Sequence, residues 1–421
     1  MTTKCILRAS AMLSLLLLVL ATIVASTVAF TPILPHRHAT RFHMSSAETS
    51  STDVAATNDA KESLEDDEVL GPEYKAALAQ VKGALSQVIK DEKQLGPLIH
   101  FSTEYLTANQ DALKAGNEDG AAALAAERML NGIKLGMTHG MGENKYMFGP
   151  SHKALRGKDP EAEDGNEYDY YAFGCDFFGP CMDPERSVVL GKDNLDKAME
   201  QLANGENVVF FANHQSEADP QVVSVCFEKV GYGEKAAELT YVAGHKVTTD
   251  PLAVPFSMGR NLICIHSKKH IDSEPEKKPL KQRQNLAAMG AMLGTLKEGG
   301  ASIWVAPSGG RDRRNVETGE VPLAPFDPKT VAMFKTLATK SKVKTHFYPL
   351  AMVTYDLCPP PDYVEAGVGE QRNVRFVPVG IACGPEVVED ETTANDRDAF
   401  CEVAMATCQA DYDRLLEVMK V

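Results

Sequence analysis

Val208-Val209-Phe210-Phe211-Ala212 followed by Asn213-His214-Gln215-Ser216-Glu217-Ala218-Asp219-Pro220 is the stretch on which the fold turns. The five-residue apolar run reads as a strand buried on both faces, as in a parallel sheet covered by helices. A histidine then stands where strand gives way to loop. A carboxylate follows five residues on, where a helix should begin. In open α/β sheets that place, outside the carboxyl ends of the strands, is where ligands bind. His214 can take a proton from an attacking group, and Asp219 can hold its imidazole in one tautomer. No nucleophilic Ser or Cys is needed if a substrate brings its own hydroxyl. The plainer reading is a loop histidine beside a helix N-cap aspartate.

Working outward, strands and helices alternate. Asn194 to Ala203 reads as a helix ended by Gly205, and Asp219 to Lys229 as the helix after the central strand. Thr240 to Ala243, Leu262 to Ile265, Ser302 to Ala306, His346 to Thr354 and Arg375 to Ala382 read as strands. Gln284 to Lys297 and Asp396 to Met419 read as helices. The expected fold is α/β, a mostly parallel mixed sheet flanked by helices. A small N-terminal helical bundle precedes it. Its helices are Pro72 to Val88, with apolar residues at helical spacing, then roughly Leu98 to Lys114 after a Gly96-Pro97 break, then Gly120 to Leu135. The aromatic segment Tyr168 to Gly179 could line an acyl pocket, although such clusters more often fill cores.

Two polar clusters follow two of these strands. Ser267-Lys268-Lys269-His270 comes after Leu262 to Ile265, and Pro307-Ser308-Gly309-Gly310-Arg311-Asp312-Arg313 after Ser302 to Ala306. Both belong on the sheet edge that carries His214. Arg311 and Arg313 offer forked donors to a phosphate and Lys269 a point charge. The paired glycines let backbone come close to an anion. From Arg260 to Arg314 there are 11 Lys and Arg against 5 Asp and Glu, a local net of +6 in a chain of −15. That reversal suits an anionic ligand, against the bland reading of solvated surface charge. Lys277, Lys278, Lys281 and Arg283 have no strand-end placement and read as surface. No Gly-Lys-[Ser/Thr] follows the glycines, so a nucleotide loop is not expected.

The whole-chain figures set the frame. At 421 residues, 44% hydrophobic and 24% charged, the composition is that of an ordinary globular protein. The negative balance argues against nucleic-acid binding. Residues 1–44 read as targeting sequence. Lys4 and Arg8 precede an apolar run from Ala11 to Phe30 closed by small residues, which suits a signal peptide more than a membrane anchor. The segment behind it has Arg37 and Arg41 but no acid before Glu48. Residues 45–70 read as a disordered acidic linker, 71–140 as the bundle and 141–421 as the α/β domain. No transmembrane segment is expected in the mature chain. The nine cysteines are scattered without paired C-x-x-C motifs, so zinc is not expected; Cys226, Cys264 and Cys383 sit in apolar runs and read as buried thiols.

Several blocks, in order, carry a family resemblance. They are Asn213 to Pro220, Thr249-Asp250-Pro251-Leu252, Pro255 to Leu262, Ser267 to His270, Ala306 to Arg313, Ala324-Pro325-Phe326-Asp327 and Cys358-Pro359-Pro360-Pro361. From about Ser151 to Pro385 the chain resembles the soluble plastidial glycerol-3-phosphate acyltransferases, of the HxxxxD acyltransferase superfamily. The leader resembles the bipartite plastid-targeting leader of algae with secondary plastids, with Val28-Ala29-Phe30-Thr31-Pro32 as its cleavage motif. The resemblance implies transfer of a fatty acyl group from acyl-acyl carrier protein to the sn-1 hydroxyl of glycerol 3-phosphate, giving lysophosphatidic acid in the plastid stroma. It implies His214 as catalytic base, Asp219 as its partner, and Lys269, His270, Arg311 and Arg313 as holders of the substrate phosphate. Acyl carrier protein is the implied partner. No metal or bound cofactor is implied, the acyl donor (carrier protein or coenzyme A ester) being a co-substrate. His245-Lys246 departs from the plant pattern, which usually has Asp-Arg there. The competing functions are a lysophosphatidate acyltransferase of the same superfamily and a catalytically silent binder of acyl carrier protein or a phosphometabolite.

Overall fold

The apolar runs fold into one eight-stranded sheet. The strands are β1 (Ser151–His152), β2 (Val188–Leu190), β3 (Asn207–Ala212), β4 (Thr240–Gly244), β5 (Asn261–Ile265), β6 (Ser302–Val305), β7 (Thr345–Val353) and β8 (Gly380–Cys383). Their order across the sheet is β1-β5-β4-β6-β3-β7-β8-β2. The computed structural model describes residues 69–143, 145–157, 168–267, 271–272, 274–360, 372–389 and 396–420. The leader and nearly all of the linker therefore lie outside the described residues.

The middle strands β5, β4, β6, β3 and β7 run parallel, while β1 joins β5, and β8 joins β7, antiparallel. The expected parallel mixed sheet is the one found. β3 is buried at every position. Val208, Phe210 and Ala212 enter one core, and Val209 and Phe211 the other, as the period of two requires. The first core is closed by helices α5 (Lys192–Ala203) and α6 (Asp219–Lys229), through Leu195, Leu202, Val222 and Phe227. The second is closed by α9 (Lys278–Glu298), α10 (Pro328–Ser341) and α11 (Arg397–Met419), through Met292, Leu296, Phe334, Phe400 and Leu415.

The head consists of α1 (Pro72–Val88), α2 (Glu92–Lys114) and α3 (Ala122–Leu135). Gly96-Pro97 does not break it as expected. The Asp91 side chain accepts from the Lys93 amide and starts α2 ahead of Pro97, which lies inside the helix. Tyr168 to Gly179 forms α4 (Tyr170–Phe178), whose Tyr170, Phe173, Phe177 and Phe178 are buried. The Tyr105 ring stacks on Phe177 at 4.3 Å, and its hydroxyl donates to the Phe177 carbonyl at 2.9 Å, so the bundle and the sheet domain share one core.

Other boundaries move. The last strand begins at Gly380 and not Arg375; ahead of it only Val377 bridges, to Met182. α9 begins at Lys278, six residues before the expected Gln284. Two short helices, α7 (Gly233–Glu238) and α8 (Val254–Met258), complete the connections around β4 and β5. The eight cysteines beyond Cys5 are free thiols, with Cys226, Cys264 and Cys383 buried as expected. Among the described residues no helix is long and apolar enough to cross a membrane.

Candidate active site

Because five neighbouring strands are parallel, their carboxyl ends fall on one edge. Asn213 and His214 leave β3 there, Gly309 to Arg313 follow β6, His245 follows β4, His266 follows β5, and Thr354 follows β7. The sheet thus gathers residues up to 141 positions apart in sequence onto one rim.

The loop after β3 is fixed from below. Asn213 is fully buried. Its side-chain nitrogen donates to the Met352 carbonyl and to Asp312 Oδ2, both at 3.0 Å, and its oxygen accepts from the Met352 amide at 2.8 Å. Gln215, also fully buried, accepts at Oε1 from the amides of Thr354 (2.9 Å) and Tyr355 (3.2 Å) and donates to the Tyr412 hydroxyl. His214 lies between these two anchors. It is 28% exposed, and its ring meets the indole of Trp304 edge-on, centroids 5.6 Å apart.

His214 Nδ1 is 2.7 Å from Asp219 Oδ2. The carboxylate is completely buried. It also accepts from the amides of Gln215 (2.9 Å) and Ser216 (3.1 Å) and from the Thr354 hydroxyl (2.6 Å). Asp219 is the first residue of α6, yet its side chain reaches back to the loop and does not cap the helix; Ala218 holds the cap position. That separates it from the N-cap reading. The Asp219 side chain accepts from the Gln215 and Ser216 amides and the Thr354 hydroxyl, so Nδ1 carries the hydrogen that faces it, and Nε2 is left as the nitrogen that can accept a proton.

The arginine loop reaches the same rim. The Asp312 amide donates to the His214 carbonyl at 2.6 Å, tying the two loops together. The Asp312 side chain is buried and accepts from Asn213 and, at 2.8 Å, from the Ala324 amide. Burial pushes its carboxyl up to about 6, against those two hydrogen bonds. Arg311 and Arg313 flank this buried anchor and are half-buried. Arg311 Nη1 lies 3.2 Å from Glu217 Oε1. Arg372, which sequence reasoning did not single out, donates from Nε to Glu217 Oε2 at 2.9 Å and from Nη2 to Asp250 Oδ2 at 2.6 Å. Burial would raise the Glu217 carboxyl, but Arg372 and Arg311 outweigh it and hold it below the usual range.

Of the expected site residues, the structure brings His214, Asp219, Arg311 and Arg313 to one rim. Lys269 and His270 lie outside the described residues. Lys277, Lys278 and Lys281 pair with Glu274 or Asp272 along their own segment. The His245 ring packs against His266, tilted by 38° with centroids 4.3 Å apart, and bonds to the Thr248 hydroxyl at 2.7 Å. Thr354 and Arg372 went unread because neither belongs to a local pattern. The one available signal was the position of Thr354 at the end of an apolar run. Among the described residues no group of three or more His, Cys, Asp or Glu is arranged to hold a metal ion.

Residues 188–353, which span β2 to β7, match the Acyltransferase family model. That matched stretch is similar to the Acyltransferase family over about two-fifths of the chain. The matched stretch contains His214, Asp219, Arg311 and Arg313. The chain is also similar to curated proteins of plants. It is 38% identical over 301 residues to the chloroplastic glycerol-3-phosphate acyltransferase of Arabidopsis thaliana, covering 71% of this chain and 61% of that one. It is 39% identical to the protein of that name from Spinacia oleracea over 61% of this chain and 53% of that one. With that from Phaseolus vulgaris the figures are 40%, 59% and 52%. The matched part of the chain thus spans between about half and three-fifths of the curated relatives' length. Thr354 and Arg372 both fall beyond the matched residues.

Proposed function

We propose that this protein is a glycerol-3-phosphate 1-O-acyltransferase. It moves a fatty acyl group from acyl-acyl carrier protein to the sn-1 hydroxyl of glycerol 3-phosphate, the first step of plastid glycerolipid synthesis. The observation that carries the reading is the 2.7 Å His214–Asp219 pair on the rim where Arg311 and Arg313 emerge. The names of the plant relatives support glycerol 3-phosphate as acceptor and the chloroplast as location. The stroma as destination, reached through a signal peptide plus transit peptide, rests on the leader composition.

The acceptor's phosphate docks on Arg311 and Arg313, with Lys269 and His270 as further donors. The free hydroxyl then lies at His214. Nε2 takes the hydroxyl proton as the oxygen attacks the thioester carbonyl, and Asp219 stabilises the imidazolium that forms. Collapse of the tetrahedral intermediate breaks the carbon–sulfur bond, and His214 returns its proton to the departing thiolate. The route uses side chains and the two substrates, with no metal or resident cofactor.

The test is turnover by the purified protein with acyl-acyl carrier protein and acyl-coenzyme A as donors, and glycerol 3-phosphate and lysophosphatidic acid as acceptors. Turnover with glycerol 3-phosphate is expected. Turnover only with the lysophospholipid moves the protein to the second acylation step, and phosphate binding without turnover leaves a silent binder. His214→Ala should lower kcat by about 10²–10⁴-fold, the usual worth of a positioned general base. Full activity in that variant would remove the base assignment.

A further inference from the structure

Two arginines share one carboxylate beside the candidate site, and they share it unequally. Glu217 lies inside the Asn213 to Pro220 loop, and its two oxygens meet Arg311 and Arg372. Arg372 holds Glu217 Oε2 at 2.9 Å and is itself fixed at 2.6 Å by Asp250. Asp250 is anchored in its own turn, where Oδ1 accepts from the Leu252 amide at 3.0 Å. Arg311 meets the other oxygen of Glu217 through a single longer contact of 3.2 Å. All three partners of this chain are well covered: Arg311 is 16% exposed, Arg372 15% and Asp250 18%. Solvent therefore screens these three charges less than at an open surface, while Glu217 itself is 34% exposed.

A guanidinium has five N–H donors in a rigid fork. Arg372 commits two of its nitrogens to two acids, so it has little to offer a ligand. Arg311 commits one, so most of its fork remains for an anion. Which way the Glu217 charge is directed decides this. Held by Arg372, it steadies Arg311 without saturating it. Released, it would turn both oxygens onto Arg311 as a bidentate partner, the strongest form of that pair. It would then compete with any phosphate for the same fork.

We propose that Arg372 is a positioning residue for the acceptor phosphate, acting by neutralising Glu217 so that Arg311 stays available. The proposal rests on the reading of Arg311 as a phosphate-binding residue. Through Asp250 it also ties that availability to the loop after β4. Arg372 touches no reacting atom in this scheme.

The experiment compares the wild-type protein with Arg372→Ala, Arg372→Lys and the Glu217→Gln/Arg372→Ala double variant. The readouts are steady-state kinetics with glycerol 3-phosphate and calorimetric titration with inorganic phosphate. Arg372→Ala should raise KM for glycerol 3-phosphate, and Kd for phosphate, by about tenfold, with kcat and KM for the acyl donor moving far less. Arg372→Lys, which keeps the charge, should stay within about threefold of wild type. The double variant should recover most of the lost affinity, because a neutral amide does not compete for Arg311. A merely structural role for Arg372 would not be rescued by a second substitution, and recovery also shows that the chain folds without Arg372. Unchanged phosphate affinity in Arg372→Ala, or a double variant as weak as the single, overturns the proposal. If the wild type does not turn over glycerol 3-phosphate, the proposed function fails, and the phosphate titrations still decide this point by themselves.

Discussion

At the scale of the residue, Asp219 shows how much of the candidate site is spent on holding one charge in place. Four donors converge on a carboxylate without exposed surface. Two are backbone amides of its own loop, which the local sequence supplies. The fourth, Thr354, comes from the end of β7, 135 residues away. A hydrogen bond to a charged group is worth about 1.5–3 kcal/mol. Thr354→Val keeps the shape and removes that donor. With three donors left, kcat should fall about tenfold, a loss of about 1.4 kcal/mol, while melting drops by only a few degrees. Unchanged kcat would mean that Asp219 holds His214 without help from β7. The H-x-x-x-x-D spacing was legible because both residues sit in one loop between two strongly patterned elements. Thr354 was not, since only the strand order brings β7 beside β3.

At the scale of the element, the joint between α5 and β8 is tightly built. Gly191 precedes α5 with φ of +69°, a conformation that side-chain-bearing residues adopt at a cost. A Cβ there would lie 2.0 Å from the Cys383 carbonyl oxygen. Gly191→Ala must therefore part the helix from the end of β8, and overpacking of this kind costs about 1–3 kcal/mol or more. A melting temperature lower by several degrees is the expected result; an unchanged one would show that β8 can shift freely. The same joint shows where sequence reading stopped. β1 and β2, of two and three residues, are too short to carry a period. The run from Arg375 looked like strand because it is apolar, but it pairs with β7 only from Gly380. The longer elements around β3 were legible, since each alternates or repeats over enough positions to outweigh local noise. Pro97 sits inside α2 because the Asp91 cap starts the helix ahead of it.

At the scale of the whole molecule, the two edges of the parallel sheet do different work. The carboxyl edge gathers the candidate site. The opposite edge holds His346, 3% exposed, between two acids: Nε2 is 2.8 Å from Glu206 Oε2, and Nδ1 meets Glu386 Oε1. Burial would raise Glu386, but Lys197 and His346 outweigh it and hold it down to about 2. Glu206 is held low by His346 and Lys344. Carboxyls lower in the folded than in the unfolded chain stabilise above the unfolded value of 4.5, and that stability is lost as pH falls toward 2. His346→Gln should weaken both grips. The variant should melt lower than wild type at pH 7, and the gap between them should narrow from pH 4.5 downward. Parallel melting curves against pH would show that Lys197 and Lys344 suffice. None of this touches the site edge, so turnover at neutral pH should survive.

Asn213 and Gln215 complete the β7 peptide groups that β3, having turned away, no longer reaches. Their side-chain amides stand in for two missing rungs of backbone, meeting Met352, Thr354 and Tyr355. The amide protons of Met352 and Thr354 should then resist deuterium exchange as the core strands do, although they lie past the last residue of β3. The rim that would receive the acceptor is in this sense already rigid before any ligand arrives, and its protection in the free protein would depend on two side chains.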